Sequence, residues 1–308
     1  MKKVFIDGSA GTTGLRIANR LAMRDDVELL TLSEENRKDM SARKAMLNSA
    51  DIVFLCLPDD AAREAVAMVE NPMVTVIDAS TAHRTLPDWA YGFPELSLSH
   101  EQKIVSSKRI AVPGCHASGM IALVYPLVEA GLLEKNALLT CHSITGYSGG
   151  GKKMIAEYED AERNELLGAP RQYAIGQQHK HLKEMQALTG LENAPIFCPI
   201  VSDFYSGMTV TVPLFGSMLN GSMADVKRVN AEKYTGPMVR YEESVDEGGF
   251  ISGLAMSGKD SMKITMAGND DRILLIAAYD NLGKGASGAA IECMNIVLGM
   301  DKTKGLHV

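Results

Sequence analysis

Within the first eighty residues, wholly apolar runs of strand length alternate with stretches of helical periodicity. No other feature restricts the possible folds as much. KKVFID leads into GTTGLRIANRLAMR, where Leu15, Ala18, Leu21 and Ala22 recur at helical spacing. VELLTL, the polar segment DMSARKAMLNS, then ADIVFLCL, DAAREAVAMVE and VTVIDAS continue the rhythm. Strands with no polar face must be covered on both sides, which predicts a parallel sheet between two helical layers. The ligand crevice of such a sheet lies at the carboxyl ends of its strands. Those ends read GSAGTTG, LSEENRK, LPDDAA, DASTAHR and VPGCHAS, the most distinctive stretches of this half.

GSAGTTG spells G-x-x-G-x-x-G between a strand and a helix. Gly8 and Gly11 allow a tight turn and close backbone approach to a pyrophosphate, and Gly14 lets the helix pack on the sheet. Ser9, Ala10, Thr12 and Thr13 fill the turn and the first helical positions, whose N–H groups attract phosphate. A dinucleotide is the predicted ligand, with Pro58 and Ser80 at later strand ends as further contacts. The second strand ends near Ser33, Glu34 and Glu35, followed by Arg37 and Lys38. An acid there holds a ribose 2′-hydroxyl, whereas Ser33 with the basic pair suits a 2′-phosphate. The balance leans slightly to NADP(H).

From about residue 137 the character changes. LLTCHSITG, APIFCPIV, GMTVTVPLF, MVRYEE, SMKITMAG and RILLIAAYD read as strands, with helical segments near 152–166, 178–189 and 223–234. Strands with few crossovers predict a mixed or antiparallel sheet, hence an α+β second domain. The last helix, GKGASGAAIECMNIVLG, is apolar enough to return to the first domain's core. The expected division is a Rossmann domain of residues 1–115 and 284–308, with an α+β catalytic and dimerisation domain of 116–283.

Composition narrows the class. Hydrophobic residues make up 46% and charged residues 22%, ordinary for a globular protein, and the net charge of -7 without a basic run argues against nucleic acid. No apolar run approaches the roughly 18–20 residues that span a bilayer. MKKVFID runs from two lysines straight into a strand, so a signal peptide is not expected and the cytoplasm is. Five cysteines without CxxC spacing do not form a disulfide framework in that compartment. Cys56, Cys141, Cys198 and Cys293 sit within apolar runs and read as core.

Cys115 is different. RIAVPGCHASGM delivers it from a short strand through Pro113 and Gly114 to the start of a helix. There the helix dipole and N–H groups favour a thiolate. Beside a nicotinamide, a thiolate can form a thioester that hydride then reduces to an aldehyde. Such chemistry needs an acid–base partner. His179 and His181 in QQHKHLKEM are the candidates. On a helix over 178–189, residues two apart do not share a face, so only one is expected to face Cys115, and a single metal does not easily take both. His181 and Glu184, three apart, can pair. His116 is expected to project away, and His100 to lie in a polar loop.

The array GSAGTTG, DASTAHR, YGFPE, PGCHAS, SITGYSGGGK, HKHLKEM and DNLGKGASGAA resembles N-acetyl-gamma-glutamyl-phosphate reductases of the shorter form, in the family's order from Gly8 to about Asn295. The resemblance implies NADPH-dependent reduction of N-acetyl-glutamyl phosphate in arginine biosynthesis. It also implies a Rossmann domain joined to a glyceraldehyde-phosphate-dehydrogenase-like domain, in a homo-oligomer. It assigns Cys115 as acyl-forming nucleophile, His179 and His181 as the H-x-H pair and Glu184 as the acid after it. Arg84, Ser148 and Gly114 fall to the substrate, and Gly149, Gly150 and Asn281 to the cofactor side. Where longer forms carry an aromatic residue and Pro-Thr after the cysteine, this chain has His116, Ala117 and Ser118. Aspartate-semialdehyde dehydrogenase, or a reductase of another acyl phosphate or a carrier-bound acyl chain, would use the same machinery. An NADP-sensing regulator would keep only the nucleotide turn.

Overall fold

The computed structural model describes residues 1–33, 35–37 and 39–308; Glu34 and Lys38 lie outside the described residues. The chain divides into two compact units, Met1–Pro113 with Ala286–Leu306, and Gly114–Gly285 with His307–Val308.

The first unit begins with β1 (Lys2–Asp7), α1 (Thr12–Leu21), β2 (Val27–Leu30), α2 (Met40–Ser49), β3 (Ile52–Leu55), α3 (Asp59–Met68) and β4 (Thr75–Asp78). It continues through β5 (Ala90–Tyr91), α4 (Leu98–Ser106) and β6 (Arg109–Ala111). The strands form one parallel sheet in the order β2-β1-β3-β4-β6-β5. β1 leads outward to β2, and the chain then returns to the other side of β1, which makes the β1/β3 carboxyl ends the topological switch point. β3 and β4 are buried along their whole length, as expected of strands covered on both faces. Ile17 and Leu21 of α1 share one core cluster with Ala289, Ile291 and Met294 of the C-terminal helix Gly288–Val297. That helix is preceded by a π-turn at Gly283–Ser287, where the sequence predicted a continuous helix. α4 was also unforeseen, and it carries His100, whose Nδ1 lies 2.7 Å from Ser97 Oγ.

The second unit opens with α5 (Cys115–Glu129), apolar almost all round and buried from His116 to Val124. β7 (Thr140–Gly146), α6 (Gly151–Glu159), β8 (Arg171–Gln172), α7 (His181–Thr189), β9 (Ile196–Ser202) and β10 (Met208–Phe215) follow. α8 (Met223–Lys233), β11 (Val239–Tyr241), β12 (Met262–Gly268) and β13 (Arg272–Tyr279) complete it. The mixed sheet runs β11-β12-β13-β10-β7-β9-β8. α5 packs on β10 and β13 and on α7. Along β7 burial alternates, so Cys141, Ser143 and Thr145 face the helices while His142 and Ile144 face outward. Among the described residues no helix is long and apolar enough to cross a membrane.

Candidate active site

In the first unit the glycine turn has the shape its sequence demands. Gly8 adopts φ +90, and a Cβ there would lie 2.3 Å from the Cys56 carbonyl oxygen. A Cβ at Gly14 would lie 2.4 Å from the Gly8 carbonyl oxygen, so the helix can rest on the turn only without one. Gly11 differs, because its Cβ would meet nothing closer than 3.4 Å. The protein's own packing does not require glycine at Gly11; a ligand pressed against the turn would. α1 starts without a side-chain cap, and the buried Thr12 hydroxyl has no hydrogen-bond partner. An uncapped helix start with an orphaned hydroxyl fits a phosphate group.

Ser9, Ala10 and Thr13 lie in the same turn and first helical residues, partly or fully exposed. Ser33 and Arg37 are exposed beyond β2. Pro58 is the N-cap residue of α3, also without a side-chain cap. Ser80 donates its hydroxyl to Asp78 at 2.6 Å, and His83 Nδ1 meets the same carboxylate at 2.6 Å. Arg84 is buried, donating from Nε to the Val112 carbonyl at 2.9 Å and from Nη2 to that of Ala79 at 3.1 Å. Sequence reading did not foresee the ion pair beneath the turn, in which Arg43 reaches Asp7 at 2.8 Å with both side chains nearly buried.

The second unit holds the thiol. Cys115 is the first residue of α5, and its N-cap Gly114 provides no side chain to compete for the first-turn amides. Glu184, buried on α7, accepts the Gly114 N–H at 2.8 Å. This bond ties the turn before the thiol to the helix bearing His181.

α7 begins at His181, three residues later than the sequence suggested. His179 therefore lies in the preceding turn, and its Nδ1 accepts the His181 backbone N–H at 3.2 Å. In its neutral form His179 then carries its proton on Nε2. The helical-face argument fails because only one of the two residues is helical. Their rings stand 4.6 Å apart.

His116 does not project away. Its ring lies 5.9 Å from that of His179 and 5.6 Å from that of His181. Its Nδ1 is 2.6 Å from Ser143 Oγ and its Nε2 2.6 Å from Tyr173 Oη. Burial, and secondarily the neighbouring His179, push its pKa down to about 3, so the ring is neutral at working pH, with one nitrogen donating and one accepting. Burial, with Cys115 as the next influence, pushes the Tyr173 phenol up. Ser143, Tyr173 and Phe197 were absent from the expected set. The available signal was Tyr173 six residues before His179 in YAIGQQH; in the structure Ala174 and Gln177, between the two, are non-glycine residues with positive φ. Among the described residues no group of His, Cys, Asp or Glu has metal-holding geometry.

Asn281 and Ser148, separated by more than 130 residues in sequence, meet here. Asn281 Nδ2 donates to Ser148 Oγ at 3.0 Å, and Asn281 Oδ1 accepts the Gly207 N–H at 2.9 Å. Gly149 and Gly150 are exposed beside them, and Gly150 starts α6 without a side-chain cap.

A six-stranded parallel nucleotide-binding sheet and a mixed-sheet unit bearing a helix-start thiol define a semialdehyde dehydrogenase-type chain. Residues 3–104 match the semialdehyde dehydrogenase NAD-binding domain, and residues 115–281 its dimerisation domain. A solved aspartate semialdehyde dehydrogenase II from Vibrio cholerae, complexed with ASA, has a TM-score of 0.73 at 17% identity, covering 97% of this chain and 98% of that one. The N-acetyl-gamma-glutamyl-phosphate reductase of Brucella ovis is 44% identical over 306 residues, covering 96% of this chain and 99% of the relative. N-acetyl-gamma-glutamyl-phosphate reductase 2 of Nostoc sp. is 42% identical over 319 residues, covering 99% of both. The chain belongs to the N-acetyl-gamma-glutamyl-phosphate reductase family.

Proposed function

We propose that the protein reduces N-acetyl-glutamyl phosphate to N-acetyl-glutamate semialdehyde and phosphate, using NADPH, as a step of arginine biosynthesis. The observation that carries this reading is Cys115 at the uncapped start of α5, within a unit that also gathers His116, His179 and His181. The Cys115 thiolate attacks the acyl carbon, the bond to the phosphate oxygen breaks, and a thioester forms. The Ser118 N–H is committed to the Gly114 carbonyl at 2.8 Å, so the amides of His116 and Ala117 are the proposed oxyanion donors. His179 or His181 protonates the oxygen of the reduced adduct and takes that proton back as the C–S bond breaks, so that the carbonyl re-forms and the thiolate departs with release of the aldehyde. Gly8, Gly11, Thr12 and Gly14 would hold the cofactor phosphates, with Ser33 and Arg37 toward the 2′-phosphate. When bound, the dinucleotide supplies the hydride.

The test runs the reaction backwards with NADP, phosphate and N-acetyl-glutamate semialdehyde, following absorbance of the reduced cofactor. Phosphate-dependent reduction is expected, faster than with NAD or aspartate semialdehyde, and lowered on the order of 10⁴-fold or more in Cys115→Ala. Phosphate-dependent turnover retained by that variant would sink the mechanism. Preference for another aldehyde would discard the substrate, and tight NADP binding without turnover would favour a sensor.

The second unit also supports a dimer. α5 covers one face of its sheet, while Ile144, Ile196, Phe215 and Leu274 are each at least 40% exposed on the other. A second copy packed there would cover this apolar surface. Sedimentation of Phe215→Glu should show monomer; an undisturbed dimer would refute this face.

A further inference from the structure

Cys115 is braced by a residue 164 positions away in sequence. β13 ends at Tyr279, whose side chain is fully buried. The Tyr279 hydroxyl donates to the Cys115 carbonyl oxygen at 2.5 Å and accepts the Gly119 N–H at 3.0 Å. Those two backbone groups are the i and i+4 partners of the first turn of α5, so a phenol oxygen sits as a bridge within the helical ladder. Groups inserted there hold a turn open and set its direction.

The bridge needs Gly119. A Cβ at that position would lie 2.7 Å from the Tyr279 hydroxyl oxygen and 2.7 Å from Val210 Cγ2. The chain after Tyr279 presses on Cys115 itself, since a Cβ at Gly285 would lie 3.0 Å from Cys115 Cβ. Between them, fully buried Asp280 accepts the Ser206 hydroxyl at 3.0 Å, the Gly258 amide at 2.5 Å and the Leu282 amide at 2.7 Å. The brace is therefore anchored at both ends. Burial, more than the neighbouring Cys115, pushes the phenol well above an ordinary tyrosine, so it stays a proton donor.

We propose that Tyr279 is a positioning residue for the nucleophile. Its hydroxyl fixes the first turn of α5, and with it the direction of the Cys115 thiol and of the His116 and Ala117 amides. The proposal rests on the reading of Cys115 as nucleophile, so Cys115→Ala is measured alongside.

Tyr279→Phe keeps the ring and removes the bridge. The expected result is a kcat lowered about 10- to 100-fold with KM within about twofold, and slower alkylation of Cys115 by iodoacetamide. Unchanged kcat and alkylation in a folded variant, or a raised KM with unchanged kcat, would overturn the proposal. Should Tyr279→Phe fail to fold, fluorotyrosine at the same position retains the shape and makes the phenol more acidic. Altered kcat at constant KM then supports the brace, and kinetics identical to the parent overturn it. An inactive Cys115→Ala beside an unaffected Tyr279→Phe removes only the role of Tyr279. Turnover retained in Cys115→Ala overturns both readings.

Discussion

Two kinds of helix start occur in this molecule. α2, α4 and α8 begin in the ordinary way, with the side chains of Asp39, Ser97 and Ser222 accepting backbone N–H groups of the first turn. α1, α3, α5 and α6 begin at Gly11, Pro58, Gly114 and Gly150, none of which makes a side-chain cap. Each of these four starts lies in a stretch that sequence reading assigned to a ligand; α7 and the C-terminal helix, preceded by Lys180 and Ser287, also lack a side-chain cap. A cap satisfies the N–H groups within the protein, whereas an uncapped start keeps them, and the positive end of the dipole, for a phosphate or an oxyanion. The proposed chemistry thus occupies positions where local stability has not been maximised.

Exchanging the two kinds breaks the comparison most directly. Gly11 has φ -73 and ψ 165, allowed for any residue, and space for a Cβ. Gly11→Asp should therefore cap α1 and raise stability by about 0.5–1 kcal/mol. The same carboxylate would meet the cofactor phosphates, and KM for NADPH should rise about 10- to 100-fold. Thermal melts and initial rates read the two effects separately. A stabilised variant with unchanged KM would mean that the turn does not hold phosphate.

The glycine turn was legible because its causes are local: a strand, three glycines and a helix within twenty residues. The thiol-bearing turn was legible for the same reason. What surrounds the thiol was not. The direction of the His116 ring depends on Ser143 and Tyr173, 27 and 57 residues away, and the Tyr279 brace comes from 164 residues away. The boundary of α7 was misplaced: the helix starts at His181, so the spacing argument for the histidine pair does not apply to His179. A short strand such as β5, two residues long, carries no periodicity to read. Resemblance assigned Arg84 to the substrate; that its Nε and Nη2 donate to the carbonyls of Val112 and Ala79 is something pattern alone does not reveal.

His116 sharpens the contrast between the site and its surroundings through pH. Its pKa falls from 6.5 to about 3 on folding, so between those values the unfolded chain binds the extra proton. Stability should then rise with pH across that window, and be lost as pH falls below 6.5, by up to about 1.4 kcal/mol per pH unit from this group. His116→Gln cannot take up that proton. Its denaturant midpoint, lower at pH 7 if the bonds to Ser143 and Tyr173 are imperfectly replaced, should decline less steeply toward pH 4 than that of the parent. Parallel slopes would place the acid sensitivity elsewhere.

The smallest expected effect comes from a helix start outside the ligand-assigned stretches. Ser222 and Asp225 form a reciprocal capping box on α8, with the Ser222 hydroxyl accepting the Asp225 N–H and the Asp225 carboxylate accepting that of Ser222. The Ser222 backbone N–H, then its hydroxyl, then Arg228 hold the Asp225 pKa down to about 2. Ser222→Ala removes the hydroxyl and should cost about 1 kcal/mol, or a few degrees in Tm. kcat and both KM values should stay within error of the parent. If this cap belongs only to stability, Ser222→Ala and Gly11→Asp will move stability in opposite directions while only the second moves KM. A Ser222→Ala variant with altered kinetics would show that capped and uncapped starts do not divide the work in this way.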